Sequence, residues 1–468
     1  MGRRDCWTSG ARWWRKGVDG KLFSPSGLYE EVKEEGRFFL IFRERGGRVE
    51  TDRWTHEILR LLPGTAESLR EALLAEGFFF SRERLNQYLL LLERAAVLKS
   101  DHPPEGVETA GTSVQGEVDV VIVSYRGQEY LRRNLLSLQG QSLLPKRIVV
   151  VDNASGDGTR QWLSREFPGV EVLPLKRNLH YAGGVNEGVA LTGSLWVLIL
   201  NQDIELERGV VEELLRRAEG EEDVGAVVPQ MRLWKVPFFL NGLGNVMGLG
   251  DWGADQWQGY VDGPWIRQER EVGSACFGAV LVSREAWELV GPLDKRFKSY
   301  YEDMDWSLRA RRQGFRLLAA PEAVVYHRFG GSYMGDRKLS FVVRNRLLSL
   351  WKNFSLGAAK QYTLAALKHG LRLLFEARGS GAFMALLWAH GSAFLNLPRI
   401  LLFRLRRGGM TEAQTADYLR RVTPLRRLIN KEGDPQLSLS ALRSFYADYD
   451  FGELEKNRVD EPEKGPIL

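Results

Sequence analysis

From Val118 onward the chain alternates short apolar, β-branched runs with stretches of helical period, and no other feature restricts its fold as strongly. The runs are residues 118–123, 147–151, 170–173 and 195–200, with residues 129–138, 159–166 and 182–191 between them. Runs this short and this uniformly apolar suit strands buried on both faces. The intervening stretches suit the crossover helices of a βαβ array. The expectation is an α/β domain with a mostly parallel sheet and right-handed crossovers. Ligands of such sheets bind beyond the carboxyl ends of the strands, so the residues after each run are the ones to read for chemistry.

After the second run comes Asp152-Asn153-Ala154-Ser155-Gly156-Asp157-Gly158-Thr159. A carboxylate there can accept hydrogen bonds from a base or ribose, although the same residue types also make Asx turns and helix caps. After the third come Arg177-Asn178 and Ala182-Gly183-Gly184-Val185-Asn186. Arg177 offers a forked donor to a phosphate, and the glycines allow either close backbone approach to a phosphate or tight helix-on-sheet packing. After the fourth comes Asn201-Gln202-Asp203, whose carboxylate can hold a hard divalent cation or cap a helix. Further on, Tyr300-Tyr301-Glu302-Asp303-Met304-Asp305-Trp306 opens a helix expected over 306–313. Its acids suit proton abstraction, and also the helix macrodipole. His327 ends another β-like run, 324–327, where it could join Asp203 on a metal.

The flanks differ in character. Residues 1–100 contain a β-like run at 38–42 and three expected helices, 54–62, 66–75 and 82–95; Leu85, Tyr88, Leu89 and Leu92 form an apolar stripe in the third. Residues 101–117 read as a linker. Residues 118–335 form the α/β domain, 336–432 a basic helical region and 433–468 a charged tail. Between 341 and 430 stand 15 Lys/Arg against Glu376, Glu412 and Asp417, a balance of +12, so a chain of net charge +5 is −7 elsewhere. That segment calls for an anionic partner, and its Leu, Phe and Trp clusters suit either helices lying in a membrane interface, with Arg404, Arg406 and Arg407 near the headgroups, or a helical cap that packs its apolar face on the preceding domain and leaves the arginines solvated. Residues 382–403 are its most apolar part, but His390, Asn396, Pro398 and Arg399 interrupt them, so no spanning helix is expected. Cys6 and Cys276 are too few and too far apart for a disulfide framework or a Cys-based zinc site. The polar residues after Met1-Gly2-Arg3-Arg4 show no secretory signal, and a cytoplasmic enzyme, peripheral at the inner membrane face, is expected.

Taken in order, these motifs resemble the family 2 glycosyltransferases, inverting sugar-nucleotide enzymes of the GT-A fold, and most of all their rhamnosyltransferase-like group. The matching pieces are Val121-Ile122-Val123-Ser124-Tyr125, the runs quoted above, Gly273-Ser274-Ala275-Cys276-Phe277-Gly278, and His327 followed by Gly330-Gly331-Ser332. The resemblance implies that Asp152 holds the nucleobase and that Ser124, Asn153, Arg177, Asn186 and Asn201 complete the nucleotide-sugar site. It further implies that Asp203, with His327, ligates magnesium or manganese, and that Asp303 is the base, with Glu302 near the acceptor. Asn201-Gln202-Asp203 departs from the pattern by having one acid where many relatives have two or three. The implied donor is a nucleoside-diphosphate sugar, dTDP-rhamnose or a UDP-sugar, and the implied acceptor a glycan or lipid-linked hydroxyl in cell-surface polysaccharide synthesis. Trp252, Trp257 and Trp265, in the loop 238–268, could stack on acceptor sugars or fill the core.

Other classes compete. A dinucleotide oxidoreductase would need G-x-G-x-x-G where Ser124-Tyr125-Arg126-Gly127 stands. A nucleic-acid binder would use the N-terminal helices and the basic segment, but the third helix is too apolar for a DNA groove, so no nucleic acid is expected. The N-terminal pattern resembles PqqD-like winged-helix modules, which implies a peptide or protein partner for residues 1–100. A catalytically dead glycan-binding relative is disfavoured by the presence of both Asp203 and Asp303.

Overall fold

The computed structural model describes residues 21–426 without 35–36, 44–46, 52, 76–84, 87, 90–91, 94, 96, 101–117, 235–236, 238, 248–253, 261–263, 268–270, 329–335 and 377–380. The expected linker and charged tail lie outside them. The N-terminal module is α+β: β1 (Leu22–Pro25), β2 (Tyr29–Glu34), β3 (Arg37–Phe42), β4 (Gly47–Thr51), α1 (Arg53–Arg60), β5 (Gly64–Thr65), α2 (Ala66–Ala75) and β6 (Leu98–Ser100). Strands β2, β3 and β4 make an antiparallel meander, while β1 pairs with both β5 and β6. The Leu85, Tyr88, Leu89 and Leu92 stripe is buried, as its helical spacing requires.

The second module opens with β7 (Val118–Ser124), buried at every position, then α3 (Gln128–Gln139), β8 (Arg147–Asp152), α4 (Thr159–Glu166), β9 (Glu171–Pro174), α5 (His180–Val189), β10 (Trp196–Asn201) and β11 (Ile204–Leu206). It continues through α6 (Val210–Glu219), β12 (Val224–Leu233), β13 (Leu240–Gly242), β14 (Asn245–Val246), β15 (Ala254–Asp255) and α7 (Pro264–Arg267). The last elements are β16 (Ala279–Ser283), α8 (Arg284–Val290), α9 (Glu302–Arg312) and β17 (Arg316–His327). The sheet order is β11-β17-β12-β16-β10-β7-β8-β9, with β13 beside β12.

Strands β10, β7, β8 and β9 are parallel neighbours, as the alternation predicts. Beyond β10 the sheet is mixed: β16 runs antiparallel to both β10 and β12, and β11 antiparallel to β17. Strands β12 and β17 are again parallel, so the expected parallel pairing returns in the second half, interrupted there by the antiparallel β16 and edged by β11. Strand β16 lies between β10 and β12, which point the same way, and runs against both.

The basic segment is four helices, α10 (Asp336–Asn353), α11 (Leu356–Glu376), α12 (Gly381–Arg407) and α13 (Glu412–Arg426). Helix α12 runs unbroken through Pro398, and residues Phe383–Arg407 are long and apolar enough to cross a membrane by length and composition, where the sequence predicted an interruption. Helix α10 is joined to the α/β module by a buried ionic network. Lys352 Nζ lies 2.7 Å from Asp305 Oδ2 on α9 and 2.7 Å from Asp294 Oδ2. Asp305 also accepts from Arg309 Nε at 3.0 Å and from Asn353 Nδ2 at 3.0 Å. Lys352 is fully buried, with its ammonium 4.3 Å from the Phe403 ring of α12. Burial lowers its pKa, opposed by the two carboxylates.

Removing one member of a buried pair leaves a charge without its counterion, which costs about 3–5 kcal/mol. Lys352→Ala is expected to destabilise the chain by that amount in urea unfolding, and a loss below about 1 kcal/mol would show that Arg309 alone compensates Asp305.

Candidate active site

The crevice lies where the β7, β8 and β10 carboxyl ends meet the start of α9. Ser124 ends β7 and is fully buried; its hydroxyl donates to Gln202 Oε1 at 2.8 Å. The same oxygen accepts Tyr125 N–H at 3.0 Å, and Gln202 Nε2 donates back to the Tyr125 carbonyl at 3.3 Å. Gln202 is thus a clasp between the loops that follow two neighbouring strands. A carboxylate there could not donate back, which accounts for the single acid in Asn201-Gln202-Asp203. A Cβ on Gly127 would come within 2.4 Å of the Gln202 amide, so this clasp also requires glycine there.

Several expected donor-site residues prove to be engaged within the chain. Asp152 Oδ1 accepts Ser155 N–H at 3.0 Å, a side-chain contact that closes the loop three residues on, and its other oxygen takes no part in it. Asn153 accepts from Leu179 N at 2.7 Å and donates to the His180 carbonyl at 3.0 Å, so both ends of its amide hold the loop before α5. Asn186 likewise donates to Leu293 O at 2.8 Å and accepts Leu293 N–H at 3.0 Å. It staples α5 to the loop after α8, where a donor-pocket residue was expected. Gly183 and Gly184 serve packing: a Cβ would reach 2.6 Å from the Leu179 Cβ in the first case and 2.7 Å from the Val123 side chain in the second. Arg177 is exposed, and Asn201 is half-buried with its backbone fixed to Gly278.

The antiparallel pairing of β11 with β17 sets Ile204 opposite His327 and brings Asp203 and His327 together. Their Oδ2 and Nε2 atoms are 3.5 Å apart. His327 Nδ1 lies 2.7 Å from Asn241 Oδ1 on β13, and Asn241 Nδ2 donates to Asp255 Oδ2 at 2.9 Å. Because Asn241 uses its amino group on Asp255, its oxygen must accept, and Nδ1 carries the proton. The Nε2 lone pair of the neutral ring then faces Asp203. Burial opposes charge on the imidazole, but the Asp203 and Asp255 carboxylates outweigh it and hold its pKa above the ordinary value. Among the described residues no group of three or more His, Cys, Asp or Glu side chains gathers as a metal cage. An acid and an imidazole at this spacing fit a divalent ion that takes its remaining ligands from a diphosphate and water.

Across the crevice, Tyr300 and Tyr301 have positive φ angles of 69° and 68° just before α9, a conformation that costs non-glycine residues energy. Asn345 of α10 holds them there by donating to the carbonyls of Phe297, Ser299 and Tyr300 at 2.7, 2.9 and 2.7 Å. The turn delivers three acids into different surroundings. Asp305 is taken up by Lys352 and Arg309. Glu302 is buried, and burial together with Asp303 pushes its carboxyl well above the usual range. Asp303 accepts Asn245 Nδ2 at 2.9 Å and Met304 N–H at 2.7 Å, while burial raises its pKa to about 6.

Asn241, Asn245 and Asp255 were not singled out from sequence. All three come from the short strands β13 to β15, where no periodicity or motif marks them. Of the expected acceptor aromatics, Trp257 is 1% exposed and packs edge-on to Tyr260 at 5.5 Å, so it fills the core. Trp252 and the Trp265 side chain lie outside the described residues.

Comparisons with known proteins show the family. Residues 119–286 match the family model for glycosyl transferase family 2. An N-acetylglucosaminyl-diphospho-decaprenol L-rhamnosyltransferase of Mycobacterium tuberculosis is 30% identical over 230 residues, which cover 44% of this chain and 75% of that one. The low-salt glycan biosynthesis hexosyltransferase Agl10 of Haloferax volcanii is 25% identical over 292 residues, 56% of this chain and 85% of that one. Among solved structures, GalNAc-T7 with UDP, GalNAc and Mn2+ aligns with a TM-score of 0.47 at 13% identity, covering 66% of this chain and 58% of that one. The protein is a glycosyltransferase with a GT-A α/β domain. It belongs to glycosyl transferase family 2. The nucleic-acid-binding and non-catalytic alternatives are not favoured.

Asn245 stabilises the ionised form of Asp303, so Asn245→Ala is expected to raise the Asp303 pKa further above about 6. Carbon-detected NMR titration of the Asp303 carboxyl tests this, and an unchanged or lowered midpoint would contradict the assignment.

Proposed function

We propose that the enzyme is an inverting transferase that moves a sugar from a nucleoside-diphosphate sugar to a hydroxyl of a lipid-linked glycan, with Asp303 as its base. The observation that carries the reading is the gathering of Asp203 and His327, 3.5 Å apart, with Asp303, held by Asn245, around Asp255, whose charge acts on both His327 and Asp303. The name of the mycobacterial relative supports a deoxyhexose such as rhamnose as the sugar and a polyprenyl-diphosphate-linked sugar as the acceptor. Such an acceptor would bring this cytoplasmic enzyme to the inner face of the cell membrane.

In this mechanism the acceptor oxygen attacks the anomeric carbon as the bond from that carbon to the diphosphate breaks, and the hydroxyl proton passes to Asp303. One displacement inverts configuration and needs one base. Asp303 can take that role because its pKa of about 6 leaves it ionised at neutral pH yet more basic than a free carboxylate. Burial favours the neutral form of Glu302, which can donate a hydrogen bond to an acceptor hydroxyl. Asp203 and His327 would hold magnesium or manganese, which would neutralise charge on the departing diphosphate. The free edge of Asp152 and the exposed guanidinium of Arg177 remain for the nucleotide, while Asn153 and Asn186 shape the loops around it.

Asp303→Asn is expected to leave nucleoside-diphosphate binding intact and to lower turnover by about 10²- to 10⁴-fold. Asp203→Ala should instead remove the manganese dependence of nucleotide binding in calorimetry. Full turnover in the Asp303 variant would exclude it as the base.

A further inference from the structure

Helix α12 turns an apolar face outward. Met384, Leu387, Phe394, Leu395, Leu402 and Leu405 recur at the three- and four-residue spacing of a helix face, and all are exposed, Phe394 by 75%, Leu395 by 76% and Leu405 by 84%. At 1.5 Å per residue the stripe is about 32 Å long. The opposite face is occupied, since Leu386, Ala389, Ala393 and Ile400 are buried where α12 packs on α10. Leu364 and Leu371 on α11 are exposed as well. An apolar surface of this extent marks something that covers it.

Charge and position say what covers it. Residues 356–407 carry eight Lys/Arg and one acid, Glu376. Arg399, Arg406 and Arg407 are exposed near the carboxyl end of the stripe. Arg404, expected from sequence to reach headgroups, instead donates to the carbonyls of Trp351, at 3.1 Å, and Phe354, closing the end of α10. At the other end of the stripe, half-exposed Trp388 packs edge-on against Phe341 at 5.9 Å, and Phe341 against His180 at 5.7 Å. His180 opens α5 at the carboxyl ends of the strands, so the stripe leads to the lip of the crevice.

We propose that this face docks flat on an anionic lipid bilayer, with the apolar side chains at the boundary of headgroups and acyl chains and Arg399, Arg406 and Arg407 among the phosphates. Crossing the bilayer would strip α12 from α10, which Lys352 and Asn345 hold to the α/β module. A second copy on the same face would oppose one basic surface with another. The proposal deepens the lipid-linked reading and rests on it for its purpose. Binding to lipid needs neither donor nor acceptor, so the two can fail separately.

The test is flotation of the full chain with vesicles of phosphatidylcholine alone or mixed with phosphatidylglycerol. Binding is expected with the mixed vesicles, at least ~10-fold weaker with phosphatidylcholine alone, and falling as salt rises, because exposed charges are screened within about 10 Å at 0.1 M. Phe394→Asp with Leu395→Asp should reduce it at least ~10-fold, with the thermal unfolding midpoint unchanged because both side chains are exposed. Donor hydrolysis in the absence of lipid should be retained by that variant. A chain that stays in the soluble fraction with both vesicles, or a double variant that floats like the original, overturns the proposal. If the original is a dimer and the double variant a monomer of equal flotation, a second copy is the occupant instead.

Discussion

The rest of the site hangs on one buried cation. Lys352 has no access to solvent and touches two carboxylates, on α9 and on the loop that precedes it. Charges in so apolar a place persist because each is matched and hydrogen-bonded; a partial set would be costly. Around this match, α10 is bound to α9 and to the loop and turn before it. Seven residues earlier on the same helix, Asn345 fixes the carbonyls of the left-handed turn that aims Asp303. The first helix of the basic C-terminal region is therefore built into the α/β module.

The electrostatics of the crevice follow from that arrangement. Asp203 and Glu302 are buried and Asp255 and Asp303 half-buried, and the His327 imidazole and the Lys338 ammonium are the cationic groups whose charge reaches Asp255. Burial and repulsion from neighbouring carboxylates raise Glu302 and Asp303, the latter to about 6, and burial raises Asp255 to about 6 against the pull of His327, Asn241 and Lys338. A diphosphate entering such a place meets acids of its own sign, so a divalent ion between Asp203 and His327 would relieve both. The asparagines of β13 and β14 do complementary work: Asn241 sets the tautomer of His327, and Asn245 donates to Asp303. Neutral amides can orient charged groups without adding to the repulsion.

The alternation of apolar runs and helical stretches determined the α/β domain and its first four parallel strands, because strands buried on both faces can be built from little else. The motifs set Asp152, Asp203 and His327 at or just beyond strand ends and Asp303 at the opening of a helix, and the structure has them there. Which of those side chains are free was decided by tertiary structure. Asn153, Asn186, Gly183, Gly184 and Arg404 have residue types that suit a ligand and equally suit an internal contact, and each makes an internal contact in the structure. The antiparallel entry of β16, the clasp of Gln202, and the roles of Asn241, Asn245 and Asp255 likewise depend on contacts between segments far apart in the chain. Local pattern records what each residue can bind; only the packed fold says what it is already bound to.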